Sequence, residues 1–340
     1  MYSLIRRALF LSDPETAHGL ALEGLRLGYG VGATHLLGRS RSLPVTVMGL
    51  QFPNPVGMAA GMDKNGDYID ALGSLGFGFI EVGTVTPRPQ AGNPKPRIFR
   101  LEGAGAMINR LGFNNKGVDH LVQQVKKRSF KGKLGINIGK NFDTPNDKAA
   151  DDYLICLEKV YPYADYITVN ISSPNTSGLR DLQGVEQLDA LLRTLNLKRL
   201  ELAERSQKRV PLVVKVAPDL ESEQITGMAE AVVRNAFDGL IATNTTISRK
   251  PVKGMRHADE TGGLSGSPLR EMANRVLAAF RACLPSGIAL IGTGGISTGE
   301  DAAEKFRLGA DLVQFYTGFV YKGPDLIGDC VDAISEQTSS

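Results

Sequence analysis

Polar side chains are concentrated in one segment of the chain, residues 166–180, where a short apolar run ends. The β-branched run that begins at Ile167 predicts a buried strand, and the Ser-Pro-Asn-Thr-Ser-Gly stretch after it is typical of a loop. Asn170, Ser173 and Asn175 therefore follow the end of a strand, which is where parallel α/β folds place their active sites. Their amides and hydroxyls suit a small, planar molecule that forms hydrogen bonds.

Two lysines also stand near predicted strand ends. Lys215 interrupts the apolar run Val-Val-Lys-Val, where an unpaired ammonium group is costly to bury, so we expect a chemical role for it. It could form a Schiff base with a carbonyl substrate, or act as a cation against a cofactor. Lys64 follows the first strand in a turn that contains Gly61, where a solvated lysine is equally compatible with the sequence.

The last two strand ends are rich in glycine, with Gly294, Gly295 and Gly318. These glycines could serve turns alone. However, the loops after the seventh and eighth strands of a barrel commonly bind phosphate through backbone N–H groups. We therefore expect a phosphate group at this place.

The acid or base of the reaction is harder to identify. His18, His35, His120 and His257 have no partner visible in the sequence, and the acidic residues do not cluster as metal ligands do, so we expect no metal. Ser173 is the best-placed group to transfer a proton, although a serine in such a loop can also be a turn former.

Short, mostly β-branched runs alternate with stretches long enough for helices from about residue 44 onward. The expected strands are Val56–Ala60, Phe79–Val82, Leu134–Asn137, Tyr166–Asn170, Leu212–Val216, Gly239–Ala242, Ala289–Gly292 and Leu312–Tyr316. The expected helices are Tyr68–Leu75, Val118–Lys127, Asp151–Tyr161, Val185–Arg205, Glu221–Asn235, Leu269–Leu284 and Thr298–Leu308. This count predicts an α/β fold, a (β/α)8 TIM barrel whose strand ends meet at one mouth. A doubly wound sheet is less favoured, because no Gly-x-Gly-x-x-Gly follows the first strand, but the pattern does not report closure.

Residues 1–41 differ from the rest, which we expect to form one barrel domain over residues 42–340. Tyr2–Leu11 could form one helix, and Asp13 as N-cap with Pro14 after it predicts the start of a second. The apolar stripe of the second helix comprises Ala17, Leu20, Ala21 and Leu25. This helical hairpin could cap the core, or it could dip into a membrane interface aided by nearby arginines. Those arginines are Arg6, Arg7, Arg26, Arg39 and Arg41.

Composition and charge argue against several classes. The 340 residues carry 39 Lys and Arg against 36 Asp and Glu, so a net charge of +3 gives no reason to invoke nucleic acid. Cys156, Cys283 and Cys330 lie far apart without a Cys-x-x-Cys pair, which suits a reducing compartment and argues against zinc or iron–sulfur sites. The apolar run after Arg7 is too short for a signal peptide. No run approaches the roughly 18–20 residues that span a bilayer.

Motifs along nearly the whole chain resemble those of the dihydroorotate dehydrogenases, and among them the class 2, quinone-linked group. In order, they are Ala59-Ala-Gly-Met-Asp-Lys64, Glu81-Val-Gly-Thr-Val-Thr-Pro-Arg-Pro-Gln90, Asn109-Arg-Leu-Gly-Phe-Asn-Asn115, Asn137-Ile-Gly-Lys-Asn141, Asn170-Ile-Ser-Ser-Pro-Asn-Thr176, Thr243-Asn-Thr-Thr246 and Gly262-Gly-Leu-Ser-Gly266. The resemblance implies oxidation of dihydroorotate to orotate through FMN, in pyrimidine biosynthesis.

The resemblance also assigns binding residues. The residues that would hold one FMN, with its phosphate on the last two glycine-rich loops, are Ala60, Gly61, Thr84, Asn137, Asn170, Lys215, Thr243, Gly266, Gly295, Tyr316 and Thr317. Those that would hold dihydroorotate are Lys64, Asn109, Arg110, Leu111, Gly112, Phe113, Asn170, Asn175, Asn244 and Thr245. This is chemically reasonable, because asparagines offer donors and acceptors to the orotate ring and Lys64 offers a positive charge to its carboxylate.

The resemblance further implies how the chemistry is divided. Dihydroorotate would lose a proton from C5 to Ser173 and a hydride from C6 to the flavin, while Lys215 stabilises negative charge on the reduced flavin. Because a serine hydroxyl is a poor base, we expect a relay through Thr176 or a water chain beside Phe113.

The base position and the N-terminal extension both bear on the electron acceptor. Relatives with soluble acceptors carry cysteine where this chain has Ser173, and they lack the extension. The hairpin would then form an apolar tunnel for a membrane quinone, with His18 and Arg100 near the quinone head. The resemblance implies a peripheral protein on the cytoplasmic side of the inner cell membrane, and suggests a monomer.

Three alternatives remain open at this point. One is a flavin dehydrogenase of the same fold with a soluble acceptor such as fumarate or NAD. Another is a phosphosugar aldolase barrel in which Lys215 forms the Schiff base. The third is a barrel that binds a ligand without catalysis.

Overall fold

The computed structural model describes residues 2–37, 41–176 and 178–338, and its central element is a closed barrel of eight strands. In chain order the strands are β1 (Val45–Val47), β2 (Leu50–Phe52), β3 (Val56–Met58), β4 (Phe79–Val85), β5 (Ile98–Leu101), β6 (Ala106–Asn109), β7 (Lys133–Ile138), β8 (Tyr166–Asn170), β9 (Leu212–Val216), β10 (Gly239–Ala242), β11 (Gly263–Gly266), β12 (Ala289–Thr293) and β13 (Leu312–Phe315). The barrel consists of β3, β4, β7, β8, β9, β10, β12 and β13, all paired in parallel.

Pairing of β13 with β3 closes the sheet, with Val313 opposite Val56. The predicted TIM barrel is therefore confirmed. The doubly wound alternative is wrong, because an open sheet would leave its two edge strands without this pairing.

Helices follow the barrel strands as crossover connections and cover the outside. In chain order the helices are α1 (Tyr2–Phe10), α2 (Pro14–Gly30), α3 (Ile69–Gly73), α4 (Val118–Val125), α5 (Ala149–Val160), α6 (Val185–Ser206), α7 (Ser222–Arg234), α8 (Arg270–Cys283), α9 (Gly299–Arg307), α10 (Thr317–Lys322) and α11 (Asp325–Thr338). The seven helices predicted in the barrel region are all present, but α3 is shorter than expected. Its end tightens into a turn in which the N–H groups of Leu75 and Gly76 bond to carbonyls three residues back.

The barrel interior changes from apolar to polar along the strands. At the end where the strands begin, apolar and aromatic side chains pack together with Phe52 of β2. They are Phe79, Tyr166, Val213, Ile241, Ile291 and Leu312. The short β1–β2 hairpin packs against this cluster and covers that end. Ligands therefore have to approach from the carboxyl ends of the strands.

Strand β9 illustrates why Lys215 points inward. Its side chains alternate, so Leu212, Val214 and Val216 pack in the core between barrel and helices, whereas Val213 packs inside the barrel. Lys215 lies two residues after Val213 and therefore projects into the interior as well.

A second, three-stranded antiparallel sheet of β5, β6 and β11 was not predicted from the sequence. Each strand is only four residues long, which gives little pattern for the pairing of the neighbouring strands β5 and β6, and β11 comes from a distant segment of the chain. Ser265 of β11 lies opposite Met107 of β6 in this sheet, and both side chains reach the cavity described below.

The N-terminal hairpin consists of α1 and α2. Asp13 caps α2 by accepting hydrogen bonds from the N–H groups of Glu15 and Thr16, both at 3.0 Å, and Pro14 occupies the first turn, as expected. Glu15 accepts two hydrogen bonds from Arg97, at 2.7 and 3.0 Å, which ties the hairpin to the barrel domain. Among residues 2–37, 41–176 and 178–338, no helix has the length and hydropathy to cross a bilayer.

Candidate active site

A cavity of about 160 Å³ lies at the carboxyl ends of the barrel strands and brings most of the predicted site residues together. Of the predicted cofactor residues, those in its lining are Ala60, Gly61, Thr84, Asn170, Lys215, Thr243, Gly266, Gly295, Tyr316 and Thr317. Of the predicted substrate residues, those in its lining are Lys64, Asn109, Leu111, Gly112, Phe113, Asn170, Asn175, Asn244 and Thr245. Asn137 lies beneath the lining, and Arg110 points elsewhere.

Glycines form one wall of this cavity and allow close approach to the backbone. Gly295 has φ of 83° and Gly266 has φ of 97°, a region that favours glycine. A Cβ atom on Gly295 would lie 2.3 Å from Cα of Arg270, and one on Gly266 would lie 2.3 Å from the carbonyl oxygen of Gly105. Backbone N–H groups in such a wall suit an anionic phosphate.

Lys215 supplies a positive charge inside the cavity. It is 5% exposed, and among the described residues none accepts a hydrogen bond from its Nζ. Burial lowers its pKa from the usual lysine value, and the negative charge of Glu81 acts in the opposite direction. An unpaired cation in this position fits a bound group that develops negative charge.

Asn137 and Asn170 are held by a buried hydrogen-bond network. The Oδ1 atom of Asn137 accepts from Thr84 Oγ1 at 2.5 Å and from Asn170 Nδ2 at 3.2 Å. The Asn170 amide also donates to Thr84 Oγ1 at 3.0 Å. Asn137 is fully buried and does not line the cavity, whereas its partners Thr84 and Asn170 do.

The loop after β8 presents Ser173 to the cavity. The side chain is 5% exposed, and its Oγ accepts a hydrogen bond from the N–H of Asn175 at 3.2 Å. Asn175 Oδ1 and Thr176 Oγ1 are both buried without a hydrogen-bond partner among the described residues. Unsatisfied buried polar atoms beside Ser173 are consistent with a polar ligand or ordered water at this place.

A partly buried ion pair anchors the same loop. Arg180 pairs with Asp219 at 2.9 Å, and it also donates to the carbonyl oxygens of Ser172 at 3.1 Å and Thr245 at 2.8 Å. Arg180 thereby connects the loop after β8 to the loops after β9 and β10. This arrangement fixes the loop from both sides of Ser173.

Lys64 and Arg110 differ in how they face the cavity. Lys64 lines it, and its Nζ donates to the carbonyl oxygen of Gly61 at 3.0 Å. Burial lowers the pKa of Lys64 to about 8, so it remains mostly charged at neutral pH. The guanidinium of Arg110 instead pairs with Glu260 at 2.7 Å and stacks on the ring of Phe99. A direct contact of the Arg110 side chain with substrate therefore stays a prediction without geometric support.

A second, larger cavity of about 510 Å³ lies between the hairpin and the barrel. Its lining is mostly apolar and includes Ala17, Leu20, Ala21 and Leu25, the stripe predicted from the sequence. His18 and Arg100, the predicted quinone pair, also line it. Ile98, Met107 and Tyr316 line both cavities, so these two spaces share a wall.

The His18 ring stacks on Tyr316 in that wall, with ring centroids 6.5 Å apart and planes inclined by 16°. Burial, together with the positive charge of Lys64, lowers the pKa of His18 to about 4, so it is neutral at physiological pH. Arg100 donates to the carbonyl oxygens of Phe10 and Ser12, at 3.0 and 3.1 Å, in the turn of the hairpin. Arg100 therefore holds the hairpin as well as lining the cavity.

The remaining histidines have contacts outside both cavities. His120 bonds to Asp67 at 2.7 Å, and the ring of His257 packs against Phe99. The side chain of His35 lies outside the described residues, as do Arg39 and Ser177. Within the described part of the chain, no three His, Cys, Asp or Glu side chains are grouped as a metal site requires.

The sequence analysis missed several lining residues, of which Ser265 and Thr293 are polar. Ser265 Oγ accepts a hydrogen bond from Thr317 Oγ1 at 2.8 Å, next to the glycine wall. The sequence does give a signal for Ser265, because this residue belongs to the motif Gly262-Gly-Leu-Ser-Gly266. The resemblance assigns only Gly266 of that motif to FMN.

The chain matches known proteins over nearly its whole length. The family model described as dihydroorotate dehydrogenase matches residues 42–337. The chain is 56% identical over 336 residues to dihydroorotate dehydrogenase (quinone) of Pseudomonas syringae pv. tomato, covering 98% of each chain. It is also 56% identical over 339 residues to the protein of that name from Dechloromonas aromatica, again covering 98% of each.

Solved structures agree as well. A crystal structure of DHODH in complex with ferulenol from Eimeria tenella superposes with a TM-score of 0.88 at 39% identity, covering 96% of this chain and 93% of the other. The ligand-free form from the same organism gives the same TM-score and identity, covering 96% and 95%. The aldolase and non-catalytic alternatives find no support in these relatives. The chain therefore belongs to the dihydroorotate dehydrogenase family.

Proposed function

We propose that this protein oxidises dihydroorotate to orotate and passes the electrons, through a flavin, to a membrane quinone. Relatives at 55–56% identity over nearly the full length carry the name dihydroorotate dehydrogenase (quinone). Its role is then the oxidative step of pyrimidine biosynthesis. Members of this family are flavin-dependent, and we propose FMN as the flavin here.

The observation that carries this proposal is the shared wall between the two cavities. A flavin in the mouth of the barrel, against Tyr316, could be reached from the polar cavity by dihydroorotate and from the apolar cavity by a quinone. Separate routes suit two reactants of opposite polarity, because each finds a lining that matches its own surface.

The residues at the mouth fit FMN. Thr84, Asn170 and Lys215 would hold the isoalloxazine ring, and the glycine wall around Gly266 and Gly295 would hold the phosphate. When bound, FMN supplies a two-electron acceptor for the substrate, which no side chain of this chain can provide. The protein contributes binding, orientation and charge.

Dihydroorotate would be held by the polar side chains on the other side of this cavity. Asn109, Asn175 and Asn244 offer donors and acceptors to the ring, and Asn175 Oδ1 is an acceptor without a partner of its own. Lys64 offers an ammonium group to the substrate carboxylate. We keep Arg110 as a residue that acts through its backbone, since Asn109 and Leu111 on either side line the cavity.

Ser173 would accept the C5 proton of dihydroorotate at its Oγ. Its neighbour Thr176 has a buried hydroxyl with no partner among the described residues, so it is available to pass the proton on. Phe113 also lines this cavity, and a water chain beside it is the alternative relay. Both assignments are part of the proposal.

The hairpin would serve the quinone and the membrane. Several of its apolar side chains are strongly exposed. They are Leu4, Leu11, Leu20, Leu27 and Val31, with exposed fractions between 58 and 91%. Arg7 is also exposed, and a helix pair of this character suits a peripheral position on an anionic membrane surface. We propose the cytoplasmic face of the inner cell membrane, and a monomer.

The decisive experiment is an anaerobic absorbance measurement on the purified protein. The protein should be yellow, dihydroorotate should bleach the flavin, and a quinone should restore the colour. NAD or fumarate should not restore it at a comparable rate. A colourless protein, or a flavin that dihydroorotate does not bleach, would overturn the proposal.

A further inference from the structure

We propose that Glu81, a carboxylate buried inside the barrel beneath the mouth, is a positioning residue that fixes the orientation of three site asparagines and supplies the negative charge opposite Lys215. The asparagines are Asn137, Asn170 and Asn244. This inference rests on the proposed function, and it assigns a role to a residue that does not touch either ligand.

The contacts of Glu81 show that it is an acceptor of three hydrogen bonds. The side chain is fully buried on β4. Its Oε1 accepts from Asn137 Nδ2 at 2.7 Å, and its Oε2 accepts from Tyr166 OH at 3.0 Å and Thr168 Oγ1 at 3.1 Å. A carboxylate, which only accepts, satisfies all three donors, whereas a carboxylic acid would have to turn its own proton toward one of them.

This contact determines which way the Asn137 amide faces. Because Nδ2 of Asn137 points to Glu81, Oδ1 must point to Thr84 and Asn170, from which it accepts at 2.5 and 3.2 Å. Asn170 therefore presents its Nδ2 to these two residues and turns its Oδ1 the other way. A reversed Asn137 would place its carbonyl oxygen against the Glu81 carboxylate and its NH2 group against the NH2 group of Asn170.

The same series of hydrogen bonds continues to the side of the cavity where substrate would bind. Asn170 Oδ1 accepts from the backbone N–H of Ser172 at 3.2 Å and from its Oγ at 3.1 Å. With its proton committed, Ser172 Oγ accepts from Asn244 Nδ2 at 2.9 Å. Asn244 Oδ1 in turn accepts from the N–H of Thr245 at 2.8 Å. A directional chain of hydrogen bonds thus runs from Glu81 to Asn244, next to Ser173.

The negative charge of Glu81 also acts on Lys215. Lys215 stands opposite Asn170 in the pairing of β8 and β9, and Glu81 is the charge that favours its protonated form against the effect of burial. Tyr166 faces the same carboxylate, but burial and the Glu81 charge raise its pKa well above the usual value, so it stays neutral. Lys64 faces the same cavity from the loop after β3. Glu81 therefore favours the cationic form of Lys215 where a flavin would need the charge.

Two variants and a matched control separate these roles. Glu81→Gln keeps the size and can still accept from Asn137, but it lacks the charge. Glu81→Asp keeps the charge, but its side chain is one methylene shorter and cannot maintain all three hydrogen bonds. Tyr166→Phe is the control, because it removes one donor to the same carboxylate and leaves both the charge and the Asn137 contact in place.

The first readout is the Kd of FMN, obtained from its dissociation from the diluted holoenzyme between about pH 6 and about pH 10 and followed by the rise in flavin fluorescence. Loss of the Glu81 charge should lower the pKa of Lys215. The rise of the FMN Kd at alkaline pH should therefore begin at a lower pH in Glu81→Gln than in the wild type. Tyr166→Phe and Glu81→Asp should show this alkaline rise of the FMN Kd at the same pH as the wild type.

The second readout is the Kd of orotate at neutral pH, followed by the change in flavin absorbance. Glu81→Asp should weaken orotate binding because Asn137 is no longer held, whereas Tyr166→Phe should remain near wild type. If the alkaline rise of the FMN Kd begins at no lower pH in Glu81→Gln than in Tyr166→Phe, Glu81 does not supply the charge opposite Lys215. Unchanged orotate affinity in Glu81→Asp would overturn the orientation role.

If Glu81→Gln does not fold, Glu81→Asp still tests the proposal. Glu81→Asp must then show the wild-type pH dependence of the FMN Kd together with weaker orotate binding. Any other result for Glu81→Asp contradicts the proposal. Failure of the proposed function would look different, because the wild-type protein itself would then neither bind FMN nor be bleached by dihydroorotate.

Discussion

Lys64 offers a test of the substrate site in which the expected result follows from one pKa. Its Nζ donates to the carbonyl oxygen of Gly61, and burial lowers its pKa to about 8, although the charges of Glu15 and Asp63 act in the opposite direction. The ammonium form is therefore present at neutral pH and is lost as the pH rises through about 8. Binding of the dihydroorotate carboxylate should be lost with it.

The size of the effect can be worked out from that value. If only the charged form binds substrate, the apparent Kd is multiplied by one plus the ratio of neutral to charged Lys64. With a pKa of about 8, the ratio is about 0.1 at pH 7 and about 10 at pH 9. We therefore expect the Kd of dihydroorotate to rise about tenfold between these pH values and to be constant below pH 7.

The assay is anaerobic stopped-flow reduction of the bound flavin at varied dihydroorotate concentration. Saturation separates Kd from the limiting rate, and the limiting rate carries the separate pH dependence of proton transfer to Ser173. Lys64→Arg retains its charge throughout this range and should give a Kd that does not change with pH. Lys64→Gln should bind weakly at every pH. A wild-type Kd that stays constant from pH 7 to 9, or an equal rise in Lys64→Gln, would refute the assignment.

Further predictions concern the base and the buried cation. Ser173→Ala should lower the limiting rate of flavin reduction by about 10²–10⁴ and leave orotate binding nearly unchanged, so near-normal reduction would exclude Ser173 as the base. Lys215→Ala should slow flavin reduction and weaken FMN retention during gel filtration, because it removes the charge that faces the flavin site. A Lys215→Ala protein that keeps its full flavin content and normal rates would contradict that role.

The barrel and most of its mouth could be predicted because both depend on local patterns. Lys215 interrupts the apolar run of β9, and the alternation of side chains along a strand places it inside the barrel together with Val213. Polar residues such as Asn170 and Thr243 stand directly after apolar runs, and closure of the barrel then brings them together.

The remaining features depend on contacts between distant segments. The sheet of β5, β6 and β11 joins residues more than 150 positions apart, and its short strands carry little pattern of their own. Glu81 interrupts an apolar run as Lys215 does, but its partners Asn137, Tyr166 and Thr168 lie on two other strands and could not be predicted. The direction of Arg110 likewise depends on Glu260, which lies in a distant loop.

The central claim is that one flavin serves two cavities, with dihydroorotate entering at the barrel mouth and quinone entering beside the hairpin. It is tested most directly by measuring both half-reactions of Leu20→Glu in detergent, with Leu27→Glu as the matched control. Both side chains are exposed on the same helix, 58% for Leu20 and 67% for Leu27, but only Leu20 lines the apolar cavity. A long-chain quinone that enters this cavity would have to desolvate the new carboxylate, so Leu20→Glu should slow reoxidation of the flavin by quinone and leave its reduction by dihydroorotate unchanged. Leu27→Glu should leave both unchanged. Equal loss of both half-reactions in Leu20→Glu, or normal reoxidation by quinone, would contradict the two-cavity arrangement.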